Sequence, residues 1–230
     1  METLLTLTNA INDIIQDDAY LGAKYTKKIN EAVNAIAAGI RMPDGSISPP
    51  LSDLIDYDTV ATSTLAYVSL PSDYQRKVFL ICDSSGNKIS PPAGGDYYAY
   101  GLFLQQSIDK RLTEVGSVYR VAVKGTRLYY QGIPTTAETI GLHFYRKPTD
   151  MALDGDSPDG IPEHLQMKLI KHYVCKEIYG ESLEDGQDNV GVGYKFHSGK
   201  FIEAMLELVE FIGLDTEPQY YGSDDDGFDL

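Results

Sequence analysis
Apolar positions recur at spacings of three and four toward both ends of this chain and at spacing two through its middle. Near the start, Leu7, Ala10, Ile11, Ile14 and Ile15 fall on one side of a short helix, because residues three and four apart share a helical face. Thr6 or Thr8 is its expected N-cap. Tyr25, Ile29, Val33, Ile36 and Ile40 make the stripe of a second helix, stopped near Arg41 by the turn residues Pro43, Asp44 and Gly45. The following SISPPLSD reads as a linker.

From about Thr59 to Arg146 the period shifts toward two. Ala66, Val68 and Leu70 alternate with Leu65, Tyr67 and Ser69 before Pro71 ends the strand. Val78 to Cys82 is a further strand, and Asp83 to Asn87 supplies turn residues. Tyr119, Val121 and Val123 alternate with Arg120, Ala122 and Lys124, Gly125 reverses the chain, and Leu128 to Gln131 returns. Ile140, Leu142 and Phe144 line one face of the last strand, with Thr139, His143 and Tyr145 on the other. Tyr98 to Glu114 has no clean period of two and reads as a short helix or an excursion from the sheet.

The acidic loop Asp150 to Gly160 then leads into a third helix at Ile161-Pro162. Leu165, Leu169 and Tyr173 lie beside Ile170, Val174 and Ile178, so its apolar face is broad, and Gly180 is its expected end. A fourth helix, from near Lys200, carries Ile202, Met205, Val209 and Ile212 and stops at Gly213. The predicted fold class is α+β: a helical bundle of two N-terminal and two C-terminal helices with an inserted antiparallel β-rich domain and an extended acidic C-terminal tail. The parts run 1–50, 58–147, 148–213 and 214–230.

Charge sharpens the reading of the last part. The chain has 19 basic and 34 acidic residues, a net charge of −15, and so offers no diffuse positive field for counterion release from nucleic acid. Asp215, Glu217, Asp224, Asp225, Asp226 and Asp229 lie in a tail without Lys or Arg, too polar to fold alone. Extended, it reaches roughly 55 Å. Tyr220, Tyr221, Phe228 and Leu230 are unusual in a purely solvating segment; the tail reads either as a solvated end or as an arm that docks through these four residues.

With 230 residues, 43% of them apolar, the chain has enough material for a sizeable core in one or two domains. Cys82 and Cys175 lack any CxxC spacing and read as buried thiols of a reducing cytoplasm, with a single disulfide as the alternative. METLLTLTNAINDIIQD has neither a basic n-region nor a cleavage site, so no signal peptide is expected. No apolar run approaches the ~20 residues that span a bilayer.

Ligand motifs fail on spacing. GVGYKFHSGKF places five residues between Gly193 and Gly199 where a phosphate loop has four, and Phe201 stands where that loop needs a hydroxyl; it reads as a flexible loop before the last helix. In the loop from Asp154 to Gly160 the glycine falls one position late for calcium, and Leu165 replaces the bidentate Glu. His172 and Cys175 share a helix face but lack two further ligands. His143, His164 and His197 have no nucleophile elbow to serve. The expected catalytic, cofactor and metal sets are all empty, and the chain is not expected to be an enzyme.

The order of segments resembles tailed-bacteriophage head-to-tail connector proteins, the portal adaptors of the neck. The resemblance is carried by the N-terminal helix pair, LPSDYQRKVFLICDSSGNKI, VYRVAVKGTRLYYQG, TIGLHFYRKPTDM, IPEHLQMKLIKHYVCKEIYG and the last helix, over most of residues 1–213. It implies a virion component, assembled in the host bacterial cytoplasm, in which about a dozen copies close into a homo-oligomeric ring. The implied partners are the phage portal protein, neighbouring adaptor subunits, downstream tail or nozzle proteins, and genomic DNA that passes without sequence-specific binding. The larger strand-rich middle and the Asp-rich tail depart from the simplest adaptors. The alternatives are a head-completion, tail-terminator or tail-tube protein, or a carbohydrate-binding module whose Tyr97, Tyr98, Tyr100, Tyr129 and Tyr130 stack on sugars.

Overall fold
The computed structural model describes residues 1–16, 22–107, 112–184 and 191–213. In chain order the elements are α1 (Leu4–Ile15), α2 (Gly22–Ala38), a 3-10 turn (Ser52–Leu54), β1 (Ile55–Ala61), β2 (Tyr67–Ser69), β3 (Tyr74–Cys82), α3 (Tyr100–Gln105), β4 (Arg120–Lys124), β5 (Arg127–Gln131), β6 (Thr139–Arg146), α4 (Glu163–Glu184) and α5 (Gly191–Ile212). The class is α+β. The chain forms two compact units, one from Met1–Leu54 together with the described residues from Lys147 onward, the other from Ile55–Arg146.

In the helical unit the predicted stripes meet in one core. Leu7, Ile11, Ile29, Ile36, Leu169 and Met205 are all within 1% of complete burial and belong to a single cluster. The cap of α1 is Thr3, ahead of both expected threonines: Thr3 and Thr6 exchange side-chain and backbone hydrogen bonds in a capping box. Leu4 is already buried, so the apolar stripe begins one turn before Leu7. The first-turn N–H groups of Leu4 and Leu5 donate to the carbonyls of Asp156 and Asp154, at 2.8 and 3.1 Å. The acidic loop before α4 thus satisfies the open end of α1.

Two glycines that read as helix breakers lie inside helices. Gly180 does not end α4, which continues to Glu184, and α5 starts at Gly191, nine residues before Lys200. Packing explains Gly193, where the Tyr179 ring lies 3.0 Å from the place of an added Cβ; at Gly180 the Tyr194 ring lies 3.5 Å from that place, an ordinary contact. At Gly193 helix α5 leaves room for the tyrosine of α4, and that close approach offsets the roughly 1 kcal/mol by which glycine disfavours helix. The segment GVGYKFHSG is therefore the first half of α5, with His197 and Phe201 buried.

The strand unit holds two three-stranded antiparallel sheets, ordered β1-β6-β3 and β2-β5-β4. Ile140, Leu142 and Phe144 from the first and Val121, Val123, Leu128 and Tyr130 from the second share one core. Strand β1 begins at Ile55, ahead of the expected Thr59, because Asp56 and Asp58 mask its alternation in sequence. Strand β3 begins at Tyr74 instead of Val78 and shifts register three times, with Lys77 at φ 41°. The Tyr98 hydroxyl accepts the Val78 N–H at 2.5 Å and hydrogen-bonds the Tyr74 hydroxyl at 2.9 Å, supplying a partner for a backbone group within the bulged region.

Candidate interaction surfaces
The residues that invited ligand chemistry are occupied by packing. Asp156 Oδ2 accepts the N–H groups of Ala152 and Leu153 at 2.7 and 2.8 Å, and these bonds hold its carboxyl below the usual carboxylate range. Burial pushes the Cys175 thiol up to about 12 and leaves it a small core residue. His172 turns away from Cys175 toward His197, Nδ1 to Nδ1 at 2.8 Å. Burial, followed by the neighbouring His197, lowers the His172 pKa to about 4, and burial lowers that of His197. Among the described residues no three His, Cys, Asp or Glu side chains converge as metal ligands would. No described helix is long and apolar enough to cross a membrane.

Apolar surface is what the helical unit has in excess. Helix α5 exposes Val192 at 81%, Phe196 at 55%, Leu206 at 54% and Phe211 at 61%. Leu206 and Val209 face Met42, Pro43, Ile47 and Pro49 across a groove of about 400 Å³. The far wall is a small hairpin: Ile40 and Ser48 exchange backbone and side-chain hydrogen bonds at 2.8 and 2.9 Å, and Arg41 bridges Ile47. SISPPLSD is thus partly ordered structure. Phe196 and Phe211 pack edge-on against His172 and His164 of α4.

In the strand unit the sheet β2-β5-β4 carries the opposite character. Val121, Val123, Leu128 and Tyr130 point into the core, so by alternation Tyr67, Arg120, Ala122, Lys124, Arg127, Tyr129 and Gln131 share the other face; α3 packs on β4 there, Ala122 and Gln131 are buried, and the open part is the hairpin end with Lys124 and Arg127. Tyr67 and Tyr129 are paired across strands with ring centroids 5.6 Å apart, and Tyr100 from α3 packs on Tyr129 at 4.7 Å. The Arg127 guanidinium lies over Tyr67 at 4.5 Å and the Lys124 ammonium over Tyr100 at 4.6 Å. Burial, then the neighbouring Tyr129, raises the Tyr100 pKa. The hairpin joining β4 to β5 is the two-residue loop Gly125-Thr126, with Gly125 at φ 60°, as a type II′ turn requires.

Residues 2–224 match the family model described as SU10 adaptor protein. The chain belongs to that family. It is a bacteriophage adaptor, a structural protein of the virion. No curated protein matches the chain. In this SU10 adaptor the expected docking residues Tyr220, Tyr221, Phe228 and Leu230 lie outside the described residues. Of the tyrosines expected to stack on sugars, Tyr130 is fully buried with its hydroxyl donating to the Leu65 carbonyl at 2.6 Å. Tyr97 is also buried, its pKa pushed up to about 12 by burial, and it bonds the Ile89 carbonyl. Tyr100 and Tyr129 remain partly exposed, on the same face as Lys124 and Arg127. Sequence reasoning missed those two cations as a pair; the signal was their positions flanking Gly125 in a tight hairpin, which puts them opposite each other.

Proposed function
We propose that this SU10 adaptor assembles as a ring of about a dozen copies beneath the portal, extends the DNA channel, and offers the docking surface for downstream tail proteins, without catalysis. The observation that carries this reading is the family match over residues 2–224. The open apolar side chains of α5 support it, since a helix that meets a neighbouring copy needs such a face. A net charge of −15 suits a wall past which DNA slides without adhering. On this reading the helical bundle builds the ring, the β-rich domain inserted between its halves is an accessory module, and the acidic tail reaches the portal or a neighbouring subunit through Tyr220, Tyr221, Phe228 and Leu230.

Electron microscopy of the purified protein, alone and mixed with its portal, tests this directly. The expected result is a ring that appears on the portal, and assembled particles without one would refute the proposal. Rings or tubes formed in the absence of portal would favour a head-completion, tail-terminator or tail-tube part. A chain ending at Leu214 is expected to keep the far-UV signal of the intact protein, because α5 ends at Ile212, and to bind portal poorly.

A further inference from the structure
The open end of the β2-β5-β4 face carries two exposed cations, Lys124 and Arg127, and no carboxylate among its strand residues. Lys124 and Arg127 are direct cross-strand partners, an arrangement that repels and costs stability. Among the described residues neither lies within salt-bridge distance of a carboxylate; each sits over a tyrosine ring. Arg120, farther along the same face, is half-buried and donates to the Gln106 carbonyl and the Gln131 side chain. In a chain with a net charge of −15, such a face is poised to be relieved by an anion with aromatic character.

We infer that this tyrosine–cation face receives the C-terminal segment 214–230 of a second copy of the chain. That segment has six acids and no Lys or Arg, and it carries Tyr220, Tyr221 and Phe228 beside Pro218. Its acids complement Lys124 and Arg127, while its rings fit the ladder formed by Tyr67, Tyr129 and Tyr100. Three strands span only ~10 Å, so a few extended residues of the tail cover the open hairpin end of the face. DNA is the poorer occupant, because the −9 that the rest of the chain bears repels a long polyanion that overhangs so small a patch. A second copy is favoured over the chain's own tail because a ring closes through contacts between unlike surfaces of neighbours. The choice of a neighbour rests on the proposed ring, whereas the face itself does not.

A fluorescently labelled peptide of residues 214–230, titrated into the full chain and followed by anisotropy, tests the pairing. Saturable binding is expected, at least tenfold weaker to the variant carrying Lys124→Glu and Arg127→Glu, and weaker for a peptide with Asp224, Asp225 and Asp226 changed to Asn. The milder pair Lys124→Gln and Arg127→Gln, checked by circular dichroism, guards against misfolding. Equal binding to both paired variants and the parent would overturn the proposal. In parallel, a photo-crosslinker placed at Phe228 of the full chain, in an equal mixture of light and heavy copies, should give light–heavy products when the peptide site is occupied in trans. Products confined to single copies would show that the tail covers its own face and overturn the second-copy assignment. Tighter binding of an oligothymidylate than of the peptide at the same residues would assign the face to nucleic acid instead. Because no portal is present, a missing portal ring alongside intact peptide binding would sink the adaptor reading alone.

Discussion

Gly125 and Gly132 both sit in the strand unit at positive φ, 60° and 82°, yet alanine at the two positions should differ several-fold in cost. At Gly125 nothing lies within 4 Å of an added Cβ, leaving only the left-handed backbone penalty of about 1–2 kcal/mol, partly offset by about 0.4–1 kcal/mol from the stiffer unfolded chain. The expected loss is therefore about 1 kcal/mol. At Gly132 the Cβ would stand 2.1 Å from the Ser117 carbonyl oxygen and 2.7 Å from its carbon, so the backbones must separate by roughly 1 Å to reach ordinary contact. That movement breaks the bonds from Gly116 N–H to Ile133 O and from Tyr119 N–H to Gln131 O, now 3.0 and 3.2 Å. At about 0.5–1.5 kcal/mol each, added to the same backbone penalty, the total comes to about 3 kcal/mol. Urea unfolding followed by tyrosine fluorescence and far-UV circular dichroism resolves the two variants, since the chain has no tryptophan to dominate emission. Losses within 1 kcal/mol of each other would refute the steric reading of Gly132.

Three further outcomes follow from contacts in the helical unit. Asn30 accepts the Met151 N–H at 3.0 Å and donates to the Met151 carbonyl at 2.9 Å, so Asn30→Ala strands two backbone groups of a buried residue and should cost about 2 kcal/mol by urea titration. Gly193→Leu puts a side chain against the Tyr179 ring, 3.0 Å from the position of its Cβ, and should lower the thermal midpoint by several degrees where Gly199→Leu, in open space, does not. The folded pKa of His172 lies at about 4 against an ordinary 6.5. The unfolded chain therefore binds the proton first, and the His172 contribution is present above pH 6.5 and lost as pH falls through 4. After discounting for solvent screening this amounts to about 1–2 kcal/mol, and His172→Gln should flatten that part of the stability–pH curve.

The helical stripes were legible because packing there follows the helical period residue by residue: Ile29, Val33 and Ile36, or Leu165, Leu169 and Ile170, all reach the core they promise. What sequence misjudged was where a helix tolerates glycine. Gly193 is unfavourable by propensity alone and favoured because the Tyr179 ring occupies the room it leaves, a fact about two helices together, while Gly180 is carried by the packing of the rest of α4. Strand β3 hid for a related reason. Its bulges spoil the alternation from Tyr74 to Val78, and the group that accepts the Val78 N–H is a tyrosine hydroxyl twenty residues along the chain.

The surfaces were harder to read than the core for a physical reason that also bears on function. A motif search finds chemistry gathered at fixed short spacing, as a metal site or phosphate loop requires, and each such motif here dissolves into packing: Asp156 holds its own loop, and His172 meets His197. The tyrosine–cation face is assembled from Tyr67, Tyr100, Lys124, Arg127 and Tyr129, drawn from three strands and a short helix. Only the register of β2 on β5 and of β4 on β5 brings them together. Apolar residues of α5 are separated from the hairpin wall of their groove by more of the chain still. A protein whose work is to be fitted against others places its chemistry across elements, because contact area and not a reacting atom is what it must present.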